Sequence, residues 1–231
     1  MTDVRRCNKW AMVATGAVFG ILSCTQSAIA ATLSYTVTEV GNFPPLLNIL
    51  SSATDINEAG QVIGTPLISR PRNSFLWENG EQQTIDPLTI PEPINLPTRF
   101  SSASAINNAG QVVGGSLYTN NIGNLSFQAF LWDEANGIQY LGALDFFEPS
   151  PGLILSDSFA YDINNQVQIV GSSLVSTPTE LSTRAFLWEN GVMQDLGIIG
   201  EARAINDLTQ IAGTTTTDGF IPRRAFFWDN G

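Results

Sequence analysis

The sequence predicts an all-β repeat protein, most simply a β-propeller of about four four-stranded blades. A β-solenoid and a fragment of a larger propeller are the alternatives. Three observations predict this. A two-part motif recurs four times, at intervals of roughly 40–57 residues, which is the signature of a repeat architecture. The strand at the heart of the motif is apolar on both faces. Turn residues punctuate the chain every 8–12 residues, as an all-β meander requires.

The first thirty residues stand outside the repeats. Arg5, Arg6 and Lys9 form a positive n-region, residues 11–22 are a short apolar run, and Ala28-Ile29-Ala30 is a small-x-small cleavage signal. Together they read as a secretory signal peptide, too short and wrongly flanked to span a bilayer. Ile21-Leu22-Ser23-Cys24 loosely resembles a lipobox, so a lipid anchor at Cys24 is the alternative. Residues 31–231 are then one β-repeat domain, with repeats at about 33–80, 81–137, 138–191 and 192–231.

The first half of the motif, Ala-x-x-Ile-Asn followed by a glycine seven residues after the Asn, occupies 53–64 (ATDINEAGQVIG), 103–114 (ASAINNAGQVVG), 160–171 (AYDINNQVQIVG) and 202–213 (ARAINDLTQIAG). It supplies two short strands joined by a turn. Asn first and Gly last, as in Asn57 to Gly60 and Asn107 to Gly110, suit a type I turn with a terminal left-handed position. The seven-residue spacing persists where that turn glycine does not. The second half, Ala/Ser-Phe-Leu/Phe-Trp-Asp/Glu, supplies the third strand. Asn79-Gly80 and Asn190-Gly191 then give the strongest short-range hairpin signal, and 82–86, 138–142 and 192–197 supply the fourth strand.

Phe75 and Trp77 point to one face of their strand and Leu76 to the other. A sheet with one solvated face would alternate apolar with polar. Apolar residues on both faces instead require cover on both sides, as in stacked propeller blades. The last copy reaches Asn230-Gly231 without a fourth strand, while 34–41 (SYTVTEVG) precedes the first copy and resembles one. The expectation is that this segment completes the last blade and closes the ring. A piece of a longer repeat protein is the competing explanation.

Without residues 1–30, seven basic residues remain, all arginine, against twenty acidic ones. An acidic, charge-poor surface lacks the basic footprint of a nucleic-acid binder. Both cysteines and the one lysine fall within the first thirty residues, and histidine is absent throughout. That excludes Ser-His-Asp and cysteine nucleophiles, Schiff-base lysines and His/Cys zinc sites from 31–231. Carboxylate chemistry survives. Asp86, Glu92, Asp145, Glu148 and Asp157 break the repeat and are the candidate acids for a carbohydrate-active enzyme. Glu78, Asp133, Glu189 and Asp229 follow each tryptophan and read as turn residues.

A metal site is only weakly indicated. Asp55, Asn57 and Gly60 fall at positions 1, 3 and 6 of an EF-hand-like loop, and Asp162 and Asn164 repeat the first two. Ala59 and Pro66 occupy positions that should carry ligands. An Asx turn explains the pattern better, so neither metal nor cofactor is assigned.

These residues resemble the HAF repeat family of bacterial exported proteins, whose repeats read D-I-N-x-x-G-Q-V-V-G, H-A-F-L-W-x-x-G and D-L-G. The resemblance covers 34–231. The histidine of the family pattern is replaced by Asn73, Gln128, Arg184 and Arg224, so nothing that needs an imidazole carries over. The resemblance implies an extracellular or periplasmic repeat protein and assigns no activity.

The repeats differ most in their junctions. From hairpin Gly to the next motif Asn is 27 residues twice (80 to 107 and 137 to 164) but 15 once (191 to 206). The extra length is 87–98 (PLTIPEPINLPT), with Pro91 and Pro93, and 145–157 (DFFEPSPGLILSD), with Phe146, Phe147, Leu153, Ile154 and Leu155. These are the expected binding loops. The expected role is a non-catalytic binding or structural scaffold outside the cell, for a protein or surface polysaccharide. A carboxylate-dependent carbohydrate-active enzyme is the alternative.

Overall fold

The computed structural model describes residues 36–40, 50–67, 72–86, 100–119, 125–144, 147–150, 153–155, 157–176, 181–216 and 223–229. The chain divides into Met1–Val37, of which only Thr36 and Val37 are described, and Thr38–Gly231, which carries every strand. Among the described residues there is no helix, and hence none able to cross a membrane.

Each motif copy builds one antiparallel meander. The first blade is β1 (Ser51–Ile56), β2 (Val62–Pro66), β3 (Phe75–Glu78) and β4 (Glu81–Thr84), hydrogen-bonded in that order. The second is β5 (Ser101–Ile106), β6 (Val112–Thr119), β7 (Leu125–Asp133) and β8 (Gly137–Gly142). A separate hairpin follows, β9 (Phe147–Ser150) with β10 (Leu153–Leu155). The third blade is β11 (Ser158–Ile163), β12 (Ile169–Ser176), β13 (Leu181–Glu189) and the first part of β14 (Val192–Ile205). The rest of β14 starts the fourth blade, which continues through β15 (Ile211–Thr216) and β16 (Arg223–Trp228).

These are propeller-type blades. A solenoid would stack its strands in parallel, whereas every strand pairing here is antiparallel. The short third junction is the reason that β14 runs unbroken from one blade into the next, turning at Gly197 and Gly200, both at positive φ.

The two-faced Phe-Leu-Trp strand has the packing its pattern predicts. Ile63, Leu76 and Ile85 of the first blade meet Ala103, Ile106, Phe130 and Trp132 of the second. Val113 and Leu131 of the second meet Ile163, Ile169 and Phe186 of the third. Val170 and Leu187 of the third meet Ile205, Ile211 and Trp228 of the fourth. Each interface therefore joins a Leu face to a Phe/Trp face. The motif glycine serves the same core. Gly171 pairs across the strands with Phe186, and a Cβ on it would stand 2.6 Å from the ring's Cζ. Only glycine lets the ring lie against its own sheet.

Closure by 34–41 is not seen. Thr36–Val40 carry no strand, β16 ends its sheet among the described residues, and Ser34, Tyr35 and Gly41 lie outside them. Residues 87–98 also lie outside the described residues.

Candidate functional site: a groove along the first strands

Four turns hold the blades in register. In each, the motif Asn turns its Oδ1 back on its own loop and accepts the N–H groups two and four residues on. Asn57 accepts from Ala59 and Gln61 at 3.1 and 3.0 Å, and Asn164 from Gln166 and Gln168 at 3.0 and 2.9 Å. Asn107 and Asn206 repeat this geometry. Each Nδ2 donates to the Gln four residues on. Three of them also donate to the carbonyl of the next motif Asn: Asn57 to Asn107, Asn107 to Asn164 and Asn164 to Asn206, at 3.0, 3.2 and 3.1 Å.

The acids after the tryptophans do more than turn the chain. Gln61, Gln168 and Gln210 donate Nε2 to Glu78, Glu189 and Asp229. Two residues that precede the Phe-Leu-Trp segments also find partners. Asn73 donates Nδ2 to Asp86 at 2.5 Å, and Arg184 pairs with Asp195 at 3.3 Å.

Asp55 and Asp162 act between blades. Asp55 accepts the N–H of Ile56 on one oxygen and of Ile106 on the other, at 2.9 and 3.0 Å. Asp162 does the same for Ile163 and Ile205, at 2.9 and 2.8 Å. One carboxylate thus serves two blades, which is the reason that Ala105 and Ala204 can stand at the alternate copies. Burial raises the Asp162 pKa above its ordinary value. The two N–H bonds oppose that shift and the Asp55 charge adds to it. Asp55, Asn57, Asp162 and Asn164, the weak metal candidates, thus have their side-chain oxygens engaged by backbone N–H groups. Among the described residues no group of three or more acids is placed to hold a metal.

The groove arises from a bulge that every copy repeats. Ala53 pairs with Gly64 and Asp55 with Ile63, leaving Thr54 unpaired between them. The same shift leaves Ser104, Tyr161 and Arg203 unpaired in β5, β11 and β14. A bulge re-aims its extra side chain, and these four, the first x of Ala-x-x-Ile-Asn, all line one cavity of about 490 Å³. Ser52, Ser102 and Arg72 line it too. The Arg203 guanidinium lies 4.3 Å from the Tyr161 ring centroid and pairs with Glu201, an arrangement that fixes a flexible cation on an aromatic face. Tyr161 and Glu201 also line an adjoining cavity of about 240 Å³ over Ser172 and Thr183.

The expected loop sites are less defined. Phe147 and residues 153–155 fall in the β9–β10 hairpin, with Leu155 opposite Phe147. Phe146, Pro91 and Pro93 lie outside the described residues, as do Glu92 and Asp145. Asp157 accepts the N–H of Phe127 at 2.9 Å. Sequence reasoning missed the groove because it sought variation between motifs. The signal was inside the motif, where the first x reads Thr, Ser, Tyr, Arg while its neighbours repeat.

Compared with family models and with curated proteins, the chain matches none. Among solved structures it is similar to the β-propeller domain of the Trilobed protease from Pyrococcus furiosus, described as having an open velcro topology. The identity is 13%, the TM-score 0.43, and the match covers 78% of this chain and 50% of that one. The chain therefore spans about half the length of that solved domain.

Proposed function

We propose that this chain is an exported, non-catalytic binding scaffold whose groove along the first strands holds a hydroxyl-rich surface polysaccharide. The observation that carries the reading is the bulge series. Four copies of one motif place four different polar side chains, Thr54, Ser104, Tyr161 and Arg203, into a single cavity. Hydroxyls, an aromatic face and guanidinium groups suit a polyhydroxylated, acidic chain: hydroxyls exchange hydrogen bonds, and arginine pairs with carboxylates. Arg72 and Arg203 are two of the seven arginines in 31–231, and Arg203 is held over the Tyr161 ring and paired with Glu201. The signal-like residues 1–30 and the resemblance to the HAF repeat family support a place at or beyond the cell surface.

A glycan array read beside a hydrolysis assay on the same polysaccharides tests this. Tyr161→Ala and Arg203→Ala should each weaken binding about tenfold, or ~1.4 kcal/mol, with the melting temperature unchanged. Binding that survives both substitutions removes the groove from the account. Release of sugar would favour the carboxylate-dependent enzyme instead.

A further inference from the structure

The contact between successive blades repeats, but one part of it is filled at one interface and open at another. Two matched positions decide this: the residue three before the motif Phe on one blade, and the residue before the motif Ala on the next. Between the first and second blades they are Arg72 and Ser102, which line the groove. Between the second and third they are Phe127 and Phe159, whose rings stack with centroids 5.4 Å apart and planes 25° from parallel. Phe159 lies so close over Gly115 that a Cβ there would run into the ring. Between the third and fourth blades the same two positions hold Thr183 and Glu201, and Ser172 takes the place of Gly115. Neither position carries a ring there.

The space the rings would take is the cavity of about 240 Å³ over Ser172 and Thr183. Leu174, Thr183 and Glu201 line a further cavity of about 230 Å³ as well. Val170 and Ala185 pack toward the fourth blade, so Ser172 and Leu174 on the one strand and Thr183 on the other face the same way. Glu201 closes the cleft from the fourth blade.

We propose that this cleft is a second binding site, beside the groove, for one neutral, hydroxyl-rich ring such as a sugar. An ionised carboxylate only accepts hydrogen bonds, so Glu201 selects a ligand that donates them. Its pairing with Arg203 leaves no free charge to favour a cation. The Thr183 hydroxyl and the Ser172 hydroxyl, which lies 3.2 Å from the Tyr161 hydroxyl, both give and take hydrogen bonds. Leu174 offers an apolar wall to the C–H face of a ring. Each cavity falls below the roughly 300–1,000 Å³ of sites for drug-sized ligands, which limits the occupant to one small ring.

Amide chemical-shift titration of the full chain with methyl glucoside, methyl galactoside and methyl mannoside, each at millimolar concentration, tests this. At least one should shift the amides of Leu174, Thr183 and Glu201. Thr183→Phe, which supplies the ring that Phe127 supplies one interface earlier, should abolish those shifts. The combined variant Ser172→Gly, Thr183→Phe and Glu201→Phe copies the filled interface and repeats the test if the single variant fails to fold. No shift with any of the three overturns the inference, and so do shifts that persist in the filled variant. Shifts confined to Thr54 and Ser104 overturn it too, because they place the sugar in the groove. A failure here leaves the groove to its own test on polysaccharides.

Discussion

At the residue scale, Asp162 shows how one side chain settles the sequence of its neighbours. Each of its oxygens takes one backbone N–H, from Ile163 and from Ile205 in the next blade. Asp162→Ala leaves both donors without that acceptor and should cost about 2 kcal/mol or more, read by urea denaturation at neutral pH. The pH dependence has a definite sign. Burial raises the folded-state pKa above 3.8, so the folded state keeps its proton to higher pH than the unfolded chain. The stabilisation from that proton is full below 3.8 and is lost as pH rises through the raised value. The gap between wild type and Asp162→Ala should therefore widen on acidification, and a gap that narrows would contradict the assignment. That alanine stands at the matching place in copies two and four was legible in the sequence. That an aspartate in the neighbouring copy made it tolerable was not, because Asp55 and Ile106 are fifty-one residues apart.

At the element scale, the turn rather than the strand carries the register. Asn164 accepts two N–H groups through Oδ1 and donates two hydrogen bonds through Nδ2, one of them to the next blade. Asn164→Asp keeps the acceptors, loses the donors and sets a carboxylate against the Asn206 carbonyl. It should cost about 2–3 kcal/mol, close to the cost of Asn164→Ala; a neutral result would mean that the inter-blade bond contributes nothing. The turn also explains how Val167 and Thr209 replace Gly60 and Gly110. All four residues sit at positive φ, between 61° and 81°, held there by the same Asn. Sequence reading found the constant spacing but not its cause. Junction length is the other property of this scale. Removing 87–98 shortens the first long junction to the length of the third, where β14 runs straight through. That deletion should fold and melt within a few degrees of wild type, because a tolerant connection contributes little beyond its closure entropy; a collapsed melt would show that the segment packs.

At the scale of the whole molecule, repetition creates the groove. First strands of successive blades lie side by side, so one bulge position per copy becomes one continuous lining.

The sequence by itself determined the blades. The period-two pattern, the Asn-Gly hairpins and the two-faced Phe-Leu-Trp strand are local, and strand identity, turn position and burial on both sides follow from neighbours a few residues apart. Tertiary structure alone decided which copies share a carboxylate and that Thr54, Ser104, Tyr161 and Arg203 meet in one cavity. Each of these depends on residues forty or more positions apart being brought together by blade stacking, and a pattern read along the chain carries no record of that distance.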